Sequence, residues 1–148
     1  MRNYSVLMAF ALGFLVLLGL QFLPWQTVGA EASVSVDINP NTLNLEMHGK
    51  WITVCVEPPD GYEVGDIDIC TVKLDGVFSP ERWDVQDDKL MMKFSAEDVI
   101  SRVWLKIYHM GTPMPQDNVT VELTVTGVLD DGTGFEGSDE IQVIAPSL

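Results

Sequence analysis

The chain has 148 residues, 47 % of them apolar, and sets 8 Lys and Arg against 22 Asp and Glu for a formal net charge of −14. That excess of acid argues against a nucleic-acid partner, because binding a phosphate backbone needs clustered Lys and Arg to displace counterions. The length leaves room for one domain of ordinary size once the apolar start is set aside, and not for two.

Arg2 places a positive charge near the start, and Val6 to Leu23 is an apolar run interrupted only by Gln21. Pro24 stops any helix there, since it has no amide proton and its ring clashes with the preceding turn. Positive start, apolar middle and small-residue exit make a secretory signal peptide. Val28-Gly29-Ala30 and Ala30-Glu31-Ala32 both fit the exit rule. Cleavage is expected after Ala32, with Ala30 as the alternative, dividing the chain into a leader 1–32 and a domain 33–148. The rival is an uncleaved anchor, the run being near the ~20 residues that cross a bilayer; the leader would then be the only membrane contact. Either way the domain is expected outside the membrane, secreted or at the cell surface or envelope. Arg2 and Glu31 cancel, so the acidity belongs to the domain. It is read first as a soluble surface, with a halotolerant or calcium-rich setting or a cationic partner as alternatives.

Along the domain, Ser33 to Ile38 alternates with period two and predicts a half-buried strand, closed by the turn Asn39-Pro40-Asn41. A short extended piece, Thr42 to Met47, leads to Trp51–Glu57, with Ile52, Val54 and Val56 on one face and Trp51, Thr53 and Cys55 on the other. Pro58-Pro59-Asp60-Gly61 ends it. Thr71 to Leu74 is a strand, and Asp75-Gly76 a tight turn into Val77-Phe78. Arg82 to Val85 and Leu90 to Phe94 pair around the acidic loop Gln86-Asp87-Asp88. Ser95 and Asp98 have capping-box spacing, so a helix starts at Ala96. It ends near Arg102 if Val103, Leu105 and Ile107 belong to a strand, or continues if Val99, Ile100, Val103, Trp104 and Ile107, which recur at helical spacing, form its apolar face. After a loop with Pro113 and Pro115, Val119, Val121, Leu123 and Val125 alternate with polar partners. Asp130-Asp131-Gly132-Thr133 turns the chain, and Phe135 to Ile144 returns. Short strands at this spacing predict a mainly β, two-sheet β-sandwich, Ig-like or Greek-key-like, with one short helix.

Several residues are candidates for chemistry. Cys55 and Cys70, an even pair in an exported chain, are read first as a disulfide closing about 15 residues and worth roughly 3 kcal/mol, with two free thiols as the alternative. A metal site is not expected from them, since His48 and His109 show no ligand spacing to the two sulfurs. Trp51 and Tyr62 are the candidates for glycan contact. The competing expectation is that tryptophans of a small sandwich fill its core, Trp51 being the exception because it faces away from Ile52, Val54 and Val56. Asp130, Asp131, Asp139 and Glu140 are candidates for a calcium site, as are Asp84, Asp87 and Asp88. Neither set has EF-hand spacing, and Asp before Gly is ordinary turn chemistry, so no cofactor is expected beyond calcium as a structural aid. Asn118-Val119-Thr120 is a glycosylation sequon. No Gly-x-Ser-x-Gly occurs and neither histidine has a triad-like context, so no enzyme activity is expected.

The order of motifs resembles the non-catalytic β-sandwich modules of exported archaeal and bacterial proteins. The matching stretches are Val36-Asp37-Ile38-Asn39-Pro40, Leu43-Asn44-Leu45, Gly49-Lys50-Trp51-Ile52-Thr53, Gly61-Tyr62, Asp66-Ile67-Asp68 and Thr71-Val72-Lys73-Leu74. The closing hairpin, Thr126 to Thr133 and Phe135 to Asp139, matches best. The resemblance implies an extracellular module without a defined ligand. Some similar modules carry a calcium-type loop; here the corresponding Asp84 to Lys89 lacks its glycine and its spacing. The expectation is a structural or protein-interaction module with an envelope or extracellular protein as partner, and a carbohydrate-binding module, polysaccharide as its ligand, as the alternative.

Overall fold

A computed structural model describes residues 31–46, 49–111 and 118–144. The expected leader as far as Ala30, His48 and the loop holding Pro113 and Pro115 lie outside the described residues. Among the described residues nine strands form two packed sheets. The first holds β1 (Glu31–Ser33), β3 (Thr42–Asn44), β5 (Ile67–Leu74), β8 (Val119–Leu129) and β9 (Gly134–Ile144), in the order β1-β9-β8-β5 with β3 also on β9. The second, β2-β4-β7-β6, holds β2 (Ser35–Asn39), β4 (Trp51–Glu57), β6 (Arg82–Gln86) and β7 (Lys89–Ser95). This is the expected β-sandwich. Its order, β2-β4-β7-β6 against β9-β8-β5, is that of a constant-type immunoglobulin sandwich.

Alternation along the strands builds the core. Ile52, Val54 and Val56 of β4 and Leu90, Met92 and Phe94 of β7 are buried against Val121, Leu123, Val125 and Phe135 of the opposite sheet. The helix α1 (Ala96–His109) closes one end of the sandwich. Ser95 caps it by accepting from Asp98 N at 3.4 Å, and Ala96, Val99, Val103 and Ile107 are its buried stripe. The helical alternative beyond Arg102 is therefore the correct one, because a spacing of three to four residues buries Val103 and Ile107 together.

Four readings are corrected by the structure. Ser33 to Ile38 is not one strand: β1 runs parallel to β9, and the chain crosses at Val34 to pair β2 with β4 in the other sheet. β5 begins four residues before Thr71 because its ladder with β8 shifts register between Asp68 and Lys73. There the Thr71 hydroxyl donates to Asp68 O (2.7 Å) and accepts from Val128 N (2.9 Å), replacing backbone pairs that alternation alone would require. Trp83 and Trp104 stay out of the core, Trp83 56 % exposed and Trp104 half-buried, while Trp51 faces outward as expected.

The disulfide is the fourth. Cys55 and Cys70 are both free thiols. Cys55 lies on the outward face of β4 in one sheet, while exposed Cys70 lies on β5 in the other. Packed sheets stand about 10 Å apart and these side chains point away from the core, beyond a disulfide's reach. Burial pushes the Cys55 thiol above its ordinary pKa, against the pull of Lys89 and with the help of Asp37 and Glu57. A thiol titration should therefore count two groups on the unfolded protein. On the folded protein Cys70 should react first, since the thiolate is the reacting form.

The β6–β7 hairpin turns on Asp87 and Asp88, both with positive φ (50° and 59°). Two left-handed residues in a two-residue loop match the right-handed twist of the flanking strands, a geometry that Asp-Gly accepts more readily than Asp-Asp. Asp88→Gly is expected to raise stability by about 0.5 kcal/mol, the left-handed penalty of a side chain exceeding glycine's entropic cost. A shifted urea midpoint at constant slope would register it.

Candidate interaction site

β6 is the last strand of its sheet, and all five of its residues are exposed. Among the described residues no strand lies on its free side. Its pairing with β7 is regular, Gln86 opposite Lys89, Asp84 opposite Met91 and Arg82 opposite Lys93. The two-residue loop makes Gln86 and Lys89 the hydrogen-bonded closing pair, and such pairs alternate along the ladder. Arg82, Asp84 and Gln86 therefore turn their main chain toward β7, while Trp83 and Val85 turn theirs to the open side. The Val85 N–H donates to the carboxylate of Asp84 at 2.9 Å. One free donor of the edge is thus covered by a neighbouring side chain, a common way of guarding an unpaired edge.

Depressions flank the strand. One, of about 500 Å³, lies on the outer sheet face among Thr53, Arg82, Asp84, Met91 and Lys93, with Trp83 at its border. The other, of about 520 Å³, lies between Val85, Asp88 and the segment holding Pro58, Tyr62 and Val64. Arg82 and Thr53 both face Lys93 in the ladders, so Thr53, Lys93 and Arg82 make one row across three strands. Beside that row Lys50 Nζ and Arg82 Cζ lie 5.2 and 5.4 Å from the Trp51 ring centre, within cation–π range.

The charge pattern is uneven. Arg102 and Lys106 meet Asp75, and Lys89 meets Glu57, whose carboxylate raises the lysine's pKa. Lys50, Arg82 and Lys93 have no carboxylate within 4.0 Å among the described residues. Three unpaired cations thus meet on one face of a chain whose net charge is −14.

The sequence candidates are dispersed. Trp51 opens β4, while Tyr62 lies past its far end, so about 20 Å of strand separates them. The Tyr62 hydroxyl donates to Asp131 Oδ2 at 2.7 Å. The Thr133 amide and that hydroxyl hold the Asp131 carboxyl below its ordinary pKa. Asp130 and Asp131 sit at the turn before β9, whereas Asp139 is five residues into the strand, about 17 Å on. Asp139 faces inward and accepts from Ile38 N at 2.8 Å, covering the open edge of β2; its other oxygen accepts from Glu140 N at 2.8 Å. Glu140 is exposed opposite Glu122. The four acids do not converge, and among the described residues no group of three His, Cys, Asp or Glu is arranged to hold a metal. Asn118 is exposed just before β8.

Sequence reasoning missed Arg82, Trp83, Val85 and Lys93 as a set. Arg-Trp-Asp-Val-Gln alternates like any half-buried strand; only the folded chain reveals that, among the described residues, neither face of it is covered. No protein-family model matches the chain, and no curated protein matches it either.

Proposed function

We propose that this chain is an exported, non-catalytic interaction module that holds a protein partner at the cell surface or in the extracellular space. The observation that carries the reading is the β6 edge: exposed on both faces, unpaired on its free side among the described residues and bordered by unpaired cations. Such an edge offers main-chain donors and acceptors to another chain. Export and placement rest on the leader, Arg2 followed by the apolar run and the small-residue exit. The absence of any nucleophile-and-base motif in the sequence supports a binding role.

Carbohydrate binding would call for exposed aromatics gathered on one face. Trp51 and Tyr62 lie at opposite ends of β4, and two cations already lie over the Trp51 ring. The test is retention of separated envelope proteins and envelope polysaccharides on the immobilised full chain, expressed with its leader and used as the cell processes it. Protein retained in stoichiometric amount is the expected result. Retention of polysaccharide alone would replace the reading with a lectin-like one.

A further inference from the structure

We infer that β6 accepts an added β-strand from its partner, an extended segment in which acidic side chains alternate with apolar ones. The inference rests on the interaction-module reading and names the chemistry of the segment bound. An added strand would pair with the outward main chain of Trp83 and Val85. Its side chains would then point by turns to the two faces of the sheet. On the outer face they meet the depression walled by Arg82 and Lys93, with Lys50 beyond, and cations without carboxylate partners favour acids there. On the other face they meet Trp83 and Val85, apolar side chains 56 % and 48 % exposed, and the depression reaching Tyr62 and Val64. A polysaccharide or a nucleic-acid chain would use the cations but neither the edge donors nor this alternation.

Asp84 acts as the guard. Its carboxylate occupies the Val85 N–H at 2.9 Å and stands in the outer depression where the partner's acid would sit. Removing it frees the donor and deletes a like charge, so Asp84→Ala should bind more tightly than the natural chain. Val85→Pro does the reverse. It deletes a donor that faces away from β7, and proline is tolerated on the solvent side of an edge strand.

The experiment is fluorescence anisotropy on the full chain with two labelled synthetic peptides, one alternating glutamate and valine, the other lysine and valine. The glutamate peptide should bind, the lysine peptide at least about tenfold more weakly, and salt should weaken the former. Val85→Pro should lose about tenfold in affinity with its melting temperature unchanged, and Asp84→Ala should gain several-fold. If Val85→Pro melts early, the paired variants Arg82→Glu and Lys93→Glu carry the test: each should lose the glutamate peptide and gain the lysine peptide. Equal binding of both peptides would overturn the inference. So would undiminished binding by a normally folded Val85→Pro. Displacement of the glutamate peptide by polygalacturonate from natural chain and Val85→Pro alike would assign the cations to a polysaccharide instead. A dimer of the chain abolished by Val85→Pro would make the occupant a second copy. If Val85→Pro still retains the envelope protein held by the natural chain, strand addition fails while the interaction-module reading stands.

Discussion

Asp75→Ala should destabilise the domain by about 3 kcal/mol, at the lower end of what removing one partner of a buried ion pair costs because both cations remain partly exposed. The Asp75 side chain is 3 % exposed, where Arg102 and Lys106 are 35 % and 25 % exposed. Its Oδ2 accepts from Arg102 Nε at 3.0 Å and Lys106 Nζ at 2.6 Å, its Oδ1 from Thr124 N at 3.0 Å. Lys106 Nζ also donates to Glu122 O at 2.6 Å. One carboxylate thus ties the β5 turn, the helix and β8 together. Alanine would leave the Thr124 amide and both cations short of an acceptor, and its methyl would have to sit at the positive φ of 52° that Asp75 adopts. Asp75→Asn keeps the shape and one acceptor while removing the charge, so it should cost less.

The same residue predicts a pH dependence. Burial raises the pKa of Asp75, but the hydrogen bonds from Lys106, Thr124 and Arg102 and the Lys106 charge outweigh it, and the net shift is downward. The unfolded chain therefore takes up this proton at a higher pH than the folded one. Stability from Asp75 is fully present above the unfolded value near 3.8 and is lost as pH falls through the lower folded value. Urea midpoints of natural chain and Asp75→Asn should diverge near neutral pH and converge in acid. Parallel curves down to the acid limit would sink the assignment.

Gly137→Ala should cost about as much, roughly 3 kcal/mol, the upper part of the range for overpacking a filled interior. A Cβ at Gly137 would stand 2.4 Å from Val34 O, 2.7 Å from Val36 Cγ2 and 2.8 Å from Val34 Cγ2. The nearest atom belongs to the backbone where the chain crosses from β1 to β2, so relief means moving that crossing away from β9. The Val34 N to Glu136 O hydrogen bond of 3.0 Å would loosen with it. Thermal melts should show the loss, and faster amide exchange at Val34 should locate it. Unchanged exchange there with a lowered melt would place the strain elsewhere.

Much of the fold could be read residue by residue. The closing hairpin was legible because Val121, Leu123 and Val125 are buried on the predicted face and Phe135 to Ile144 returns as predicted, one residue short of the full strand. β4 was legible for the same reason. The start of β5 was not, since the Thr71 hydroxyl takes over a ladder position and breaks the alternation that reveals a strand. The candidate site was legible only in outline. Residue type and spacing single out Trp51, Tyr62 and the acids near the last turn, whereas the cations gather around Arg82 and Lys93.

What the sequence by itself determined were local quantities: the leader pattern, the acid excess, the turn at Asp75-Gly76, the cap at Ser95 and the inward faces of β4 and β8. Each depends on neighbours within a few positions, through backbone angles or a period of two or 3.6. Only the tertiary structure decided the crossing at Val34, the separation of Cys55 from Cys70, the guarding of the Ile38 amide by Asp139 and the open side of β6. Those follow from which strands become neighbours, and that choice is made by burying all the inward faces against one another at once rather than by any segment alone.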